Sequence, residues 1–549
     1  MKIKNFLYQN YKALIFLFAT WGVYFLILWP KMLYYDKNGN LTSGWRNIWA
    51  DWAMHIGQAN AFVYQGILPV FEHNPLIWGK TLSYPFVVNL ISAFLIKIGL
   101  SIPQAFILPS ILFSFLLLLS LFVLGKIFTR NNKEIILAIT LFFTSGGLGF
   151  YYFLLDLQKN FTWKTLISPP QEYTHLKNLD IYWTNTFLAF LIPQRAFLLG
   201  MVLGGLVLAF IFWQFKTDFK KGKLWQLFLA GTLTGFIAYV HNHTLITIFF
   251  ICNYLFLLTI KHYKYWLIFA LGVAITALPF FLFFSSPDFG NYLYLLPGWL
   301  ANKKELNLPF YLFWLENWGI FLPLFLISFL TNYFDWKSKI SQIIFGFVLI
   351  FILTNILVFQ PYGWDNAKIM LWCYFIFSFP VAKLICQFWQ KQWAGKFLTI
   401  ILIFILTFSS VLDLARVLDT KKNSFVMINK LDIDTAVEVK AKTDPHALFL
   451  TNDYHLNFVS MLTGRPIVMG YRGWLWSYGY NYAELEEDIK TIYQGKLKAK
   501  ELLKKYGIQY VVIDETTKIN YKSNEKFFKD NFELFIQGAN CRIYKIENL

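Results

Sequence analysis

Apolar stretches of about 17–25 residues, long enough to cross a bilayer, recur between Tyr11 and Leu414, and no other property restricts the fold of this chain so severely. They fall at 13–30, 103–126, 135–155, 196–215, 224–241, 244–260, 266–284, 314–333, 340–359, 368–387 and 396–413. Hydrophobic residues make up 57% and charged residues 15%, against about 25% charged in soluble domains. Such a chain cannot be solvated as one globule. The expectation is a polytopic α-helical membrane protein of about eleven spans.

Charge tests this threading, because short cytoplasmic loops collect Lys and Arg. One set of loops holds Lys126, Arg130 and Lys133, then Lys216, Lys220, Lys221 and Lys223, then Lys261 and Lys264, then Lys337 and Lys339, then Lys391 and Lys396. The alternate set comprises 31–102, 156–195 and 285–313, the turn His241 to His243, and the stretch Gln360 to Asn366. The first set is assigned to the cytoplasm and the second to the outside. The alternation requires that Tyr84 to Leu100 does not cross, lying in the outer interface or re-entering. The first apolar run is too long for a signal peptide and no cleavage pattern follows it, so the N-terminus is placed in the cytoplasm of a multi-pass plasma-membrane protein. The net charge of +18 is thereby explained by loops and lipid head groups, and nucleic acid is not an expected partner.

Beyond about Arg416 the continuous apolar runs give way to amphipathic and charged segments, as where water returns. Residues 1–415 read as the transmembrane domain with a first extracytoplasmic loop at 31–102. Residues 416–549 read as a small extracytoplasmic α/β domain. Its expected strands are Ala447 to Leu450, Pro466 to Met469, Tyr510 to Ile513 and Arg542 to Ile546. Its expected helices are Leu485 to Tyr493, Lys498 to Lys505 and Glu525 to Asn531, with Gly507 as a terminator. The four cysteines define no disulfide framework.

Polar residues that suit chemistry gather in the outward segments. Asp51 and His55 are four apart and share a face if helical, and a carboxylate at a membrane surface suits a general base. Glu72 and Lys80 follow in the same loop, Lys80 placed either to meet a lipid phosphate or to snorkel. Arg195 follows Pro193 and Gln194 at the outer end of a span, where a guanidinium would capture phosphate oxygens or a head group. His241 and His243 would donate to a phosphate, or help bind a divalent metal with Asp51 and His55. Asp365 and Lys368 stand at the mouth of another span, where charge needs a partner. Arg472, in the glycine- and aromatic-rich stretch from Gly470 to Gly479, suits sugar stacking or docking on the membrane. Gly200 to Gly204 and Gly231 to Gly235 are spacings for close helix packing.

An acid early in the loop after the first span, an interfacial stretch, many spans and a soluble tail together resemble the GT-C superfamily of membrane glycosyltransferases. That superfamily includes protein mannosyltransferases, aminoarabinose transferases and oligosaccharyltransferase subunits. The residues that carry the resemblance are Asp51 to His55, Pro193 to Arg195, Trp364 to Lys368, Gly473 to Trp476 and Tyr506 to Val512. The resemblance implies transfer of a sugar from a polyprenyl-phosphate donor to a glycan, lipid or protein acceptor, with Asp51 as base or metal-associated group. Many members carry two neighbouring acids in the first loop, whereas here Asp51 is followed by Trp52. The alternative readings are a lipid-linked substrate transporter or flippase and a non-catalytic envelope assembly protein, and Asp51→Asn separates them from a transferase.

Overall fold

The computed structural model describes residues 3–159, 162–284, 293–302 and 309–547. Part of the expected outward loop 285–313 therefore lies outside the described residues. The chain divides into two compact units. The first comprises Met1–Trp29, Ser110–Phe280 and Tyr292–Lys422, and the second Pro30–Pro109, Phe281–Asn291 and Asn423–Leu549.

Among the described residues six helices are long and apolar enough to cross a bilayer: Asn5–Met32, Ile102–Phe128, Arg195–Lys216, Ile260–Phe283, Gly363–Trp389 and Trp393–Arg416. The pair Phe310–Trp318 and Phe321–Asn332 would make a seventh, bent by 98°. Shorter apolar helices stand at Leu224–Tyr239, Asn242–Leu258 and Lys339–Thr354.

Two of the expected spans are interrupted. Residues 135–155 fold as Asn132–Phe143 and Phe150–Lys159, and 314–333 bends at Gly319, which takes φ +60°. The two interruptions meet, Leu148 N–H donating to the Glu316 carbonyl at 3.1 Å. A Cβ on Gly147 would lie 1.8 Å from that same carbonyl oxygen, so only glycine permits the approach.

The first unit is organised around Ala367–Trp389, which packs against Asn132–Phe143, Phe321–Asn332, Lys339–Thr354 and Trp393–Arg416. With so many neighbours it is apolar all round and buried along most of its length. Helices Leu224–Phe236 and Tyr263–Phe283 touch backbone to backbone: Cβ atoms on Gly231 and Gly272 would lie 2.1 Å from Phe269 O and 2.3 Å from Phe228 O.

In the second unit Phe449–Leu450 runs parallel to Tyr510–Asp514, which pairs antiparallel with Cys541–Lys545, itself antiparallel to Glu533–Gln537. Leu450, Val511, Ile513 and Tyr544 pack with Ile489, Leu503 and Phe528 from the helices Ala483–Tyr493, Ala499–Tyr506 and Glu525–Asn531. Gly507 ends the second of these at φ +66°, a left-handed cap. Pro466 to Met469, expected as a strand, forms only single bridges, Ile467 to Phe449 and Met469 to Ile77.

The grouping differs from the boundary drawn from the sequence, which joined 31–102 to the spans. Residues 30–109 belong with the C-terminal residues because the backbone ties them together. Trp78 N–H donates to Val468 O at 2.9 Å, Ile467 N–H to Pro75 O at 2.9 Å and Gly470 N–H to Leu76 O at 2.7 Å. Strand Leu41–Ser43 pairs with Phe425–Ile428. Hydrophobicity carries no sign of such pairing: Pro466 to Met469 reads as a strand, but nothing in 75–78 marks it as the partner. Val87–Lys97, within Tyr84 to Leu100, has 11 residues, about 16 Å of helix against a core of about 30 Å.

Candidate functional site

In the first unit two corners expected to face outward converge. His241 caps the helix Asn242–Leu258 from an extended backbone, its Nδ1 accepting from Thr244 N–H at 3.3 Å. A backbone amide can only donate, so Nδ1 carries no proton and the neutral ring holds its hydrogen on Nε2. That Nε2 is buried and has no hydrogen-bond partner among the described residues. Phe197 stacks on the same ring with centroids 4.5 Å apart, and His243 follows at 5.4 Å. Gly200 allows this approach, because a Cβ there would lie 2.7 Å from His241 Cβ.

The second corner is the turn Gly363–Asn366 that opens Ala367–Trp389. Asn366 pins it, donating to Thr354 O at 2.8 Å and Leu357 O at 2.6 Å. Trp299 Nε1–H donates to Gly363 O at 2.7 Å. Asp365 and Lys368 form an ion pair at 2.6 Å with little exposure. Lys368 lies close enough to act electrostatically on both histidines, and the Gln360 amide sits beside His243 and Asp365. Arg195, buried, begins the helix Arg195–Lys216. In the sequence it lies between Phe190, which stacks on Trp364, and Phe197, which stacks on His241. The arrangement is a shielded group in which a buried Lys368–Asp365 ion pair stands beside two imidazoles, one of them with an N–H to offer an anion.

The second unit holds the other predicted residues. Asp51 lies in the first turn of Trp49–Tyr64, where the helix dipole favours a carboxylate, and it is half-buried. One turn on, His55 is buried, with Asn89 Nδ2 at 3.0 Å from its Nδ1, and Asn89 also donates to Gln58. Tyr84 lies over the His55 ring at 6.1 Å. Glu72 and Lys80 are exposed. Arg472 is held by two carboxylates, Asp453 and Glu486, each at 2.7 Å, so its guanidinium is already matched.

Sequence reasoning passed over His455, which stacks on Tyr471 at 3.4 Å and whose pKa burial lowers to about 4. It also passed over Asp413, which accepts from Tyr173 N–H at 2.7 Å and Thr174 N–H at 2.8 Å and so anchors the loop before Arg195. An aspartate inside an apolar run was the available signal for the latter. The suggested metal set of Asp51, His55, His241 and His243 is split between the units, and no three His, Cys, Asp or Glu side chains converge among the described residues.

No family model and no curated protein matches this sequence. Solved structures do. The oligosaccharyltransferase of Archaeoglobus fulgidus, tethered to an acceptor peptide, matches at a TM-score of 0.52 and 10% identity, over 95% of this chain and 74% of that one. This is the GT-C fold. The same enzyme in complex with Zn and sulfate matches at 0.43 and 10% identity, over 92% and 68%. The aminoarabinose transferase ArnT of Cupriavidus metallidurans, bound to undecaprenyl phosphate, matches at 0.46 and 10% identity, over 96% and 97%. The GT-C likeness expected from Asp51 and the later motifs is thus present in the fold, and the structural neighbours are membrane glycosyltransferases.

Proposed function

We propose that the chain is a glycosyltransferase that moves a sugar from a polyprenyl-phosphate donor to an extracytoplasmic acceptor. The observation that carries the reading is the buried group of His241, His243 and the Lys368–Asp365 pair, set among apolar helices on a fold shared with an oligosaccharyltransferase. An isoprenoid tail needs an apolar environment while its phosphate needs donors. His241 Nε2–H and Lys368 supply donors at one place.

In the proposed reaction Asp51 takes the proton of the acceptor hydroxyl, and the acceptor oxygen forms a bond to the anomeric carbon. The bond from that carbon to the phosphate oxygen breaks, and polyprenyl phosphate leaves with the electron pair. His241 and Lys368, with Arg195, would stabilise the charge that develops there, an electrostatic role. Lys368 reaches the phosphate by exchanging part of its contact with Asp365, which keeps the ammonium in place when no donor is bound.

The finer topology belongs to the same proposal. Eleven spans place the N-terminus in the cytoplasm and residues from about Arg416 onward outside, with the corners at His241 and Trp364. The apolar helices Leu224–Tyr239, Asn242–Leu258 and Lys339–Thr354 support extra crossings beyond the six long ones. The partners would be membrane lipids, the lipid-linked donor, and a glycan, lipid or protein acceptor.

The test is binding of undecaprenyl phosphate to the full-length protein in lipid nanodiscs. His241→Ala and Lys368→Met should each weaken binding by about tenfold or more, the range for lost charge-assisted hydrogen bonds, while Asp51→Asn should bind as the parent does. Undecaprenyl phosphate that binds equally well to all three variants would remove the basis of the assignment.

A further inference from the structure

The second unit contains an aromatic group that the donor chemistry does not use. His455 stacks face to face on Tyr471 at 3.4 Å, and Trp474 stands edge-on to both, at 5.3 Å and 5.6 Å. Trp49 closes on His455 at 4.8 Å and on Tyr454 at 6.0 Å. These rings are not core. Tyr454 is 43% exposed, and Trp49, His455, Tyr471 and Trp474 are half-buried. His455 Nδ1 is buried without a hydrogen-bond partner among the described residues. A contiguous, partly wet aromatic surface with an unused ring nitrogen is more than scattered surface hydrophobics explain.

Its rim is polar and planar. Asp453 and Glu486 clamp Arg472, and Lys490 is shared between Glu486 at 3.1 Å and the exposed Glu487 at 2.7 Å. No cation in this rim is left uncompensated, so the patch has no electrostatic pull on a phosphate. Carboxylate, guanidinium and imidazole edges are instead the donors and acceptors that paired hydroxyls need, and aromatic faces suit the C–H faces of a pyranose ring. The segment that carries the patch is fastened to the helix that bears Asp51. Asn60 Nδ2 donates to Met461 O at 2.5 Å, Gln65 Nε2 to Gly464 O at 2.5 Å, and Gly57 brings that helix against Ser460 O. Trp49 lies two residues before Asp51 on the same helix.

We propose that Trp49, Tyr454, His455, Tyr471 and Trp474 form the acceptor platform, and that the acceptor is a carbohydrate whose pyranose ring stacks there. This rests on the transferase reading and gives it an acceptor class. The ring seats on the aromatic faces, Arg472 with its two carboxylates and His455 orient its hydroxyls, and the hydroxyl to be glycosylated is presented toward the start of the Asp51 helix.

The experiment uses full-length protein in nanodiscs and saturation-transfer NMR with methyl β-glucoside, methyl β-galactoside, methyl α-mannoside and a blocked Asn-Val-Thr tripeptide as probes. At least one glycoside should show transfer, strongest at its ring C–H protons, falling about fivefold or more in Tyr454→Ala and in Trp474→Ala and kept in Trp474→Phe, the scale of a lost aromatic contact. Tyr454 is a surface residue, so its alanine variant keeps the test sound if Trp474→Ala folds poorly. Glycoside signals that are absent, or equal in the parent and both alanine variants, overturn the proposal. So does a tripeptide signal that alone depends on Tyr454 and Trp474. Undecaprenyl phosphate binding is measured in the same samples. If it persists while the glycosides fail, the acceptor platform falls and the donor reading stands; if it fails while a glycoside binds, the donor reading falls.

Discussion

The two units meet water and charge in opposite ways. In the first, Lys368 is buried with its partner Asp365 beside His241 and His243, and His241 Nε2 has no hydrogen-bond partner among the described residues. In the second, Asp51 and the rings around His455 are half-buried, and Arg472 is fully matched by carboxylates. A shielded imidazole N–H beside a buried lysine suits an anionic group that must be held while its charge grows. A compensated, partly exposed aromatic surface suits a neutral hydroxylated group that arrives from water. On the proposed function, donor and acceptor chemistry fall in different parts of the chain, and variants should separate them.

The largest effect should come from Asp51→Asn. Transfer should fall about a thousandfold, within the range of general-base loss, with undecaprenyl phosphate binding retained; parent-like turnover would end the role of Asp51. Next is Lys368→Met, which strands Asp365 in a buried site and should cost about 3–5 kcal/mol of stability by chemical denaturation. The double variant Asp365→Asn, Lys368→Met should recover most of that stability and none of the donor affinity. Recovery of affinity would mean that Lys368 serves only Asp365.

A pair of glycines sharpens the comparison further. Gly200→Ala places a methyl 2.7 Å from His241 Cβ, and should cost about 1–3 kcal/mol as overpacking while weakening undecaprenyl phosphate binding. Gly231→Ala meets the Phe269 carbonyl instead, so it should destabilise and leave donor affinity alone.

The smallest effect concerns acid. Burial lowers His455 to about 4, whereas an unfolded histidine titrates near 6.5. Between these values the unfolded chain binds more protons, so stability is lost as pH falls from about 6.5 toward 4. His455→Phe removes that loss. Its Tm should therefore drop less than the parent's between about pH 7.5 and about pH 5, by a small margin because the ring is half-exposed.

Much of the site was legible because its signals are local. His241 and Asp365 stood out as polar residues beside apolar runs, where burial demands partners, and the structure brings both corners together with Lys368. The interruptions at Gly147 and Gly319 were not foreseen, although Ser145, Gly146, Gly147 and Gly149 are the residues that permit them. A hydropathy window averages across four small residues, and only the carbonyl of Glu316 on another helix makes the break necessary. The alliance of 30–109 with the C-terminal residues was illegible for a related reason. It is made by backbone pairing between distant segments such as 75–78 and 467–470, and although the latter reads as a strand, nothing in 75–78 marks it as the partner. His455 escaped notice because a lone histidine in a soluble segment carries no signal until Tyr471 and Trp474 fold against it.

The proposed reaction requires one compartment to serve Asp51, the histidine and Trp364 corners, and the C-terminal residues. Single cysteines introduced at the exposed positions Asn47, Tyr362 and Glu484, after replacement of the four native cysteines, test this in intact cells with a membrane-impermeant maleimide. All three should react from outside, and cysteines at Lys221 and Lys391 only after permeabilisation. Any of the first three that reacts only in permeabilised cells would contradict the account.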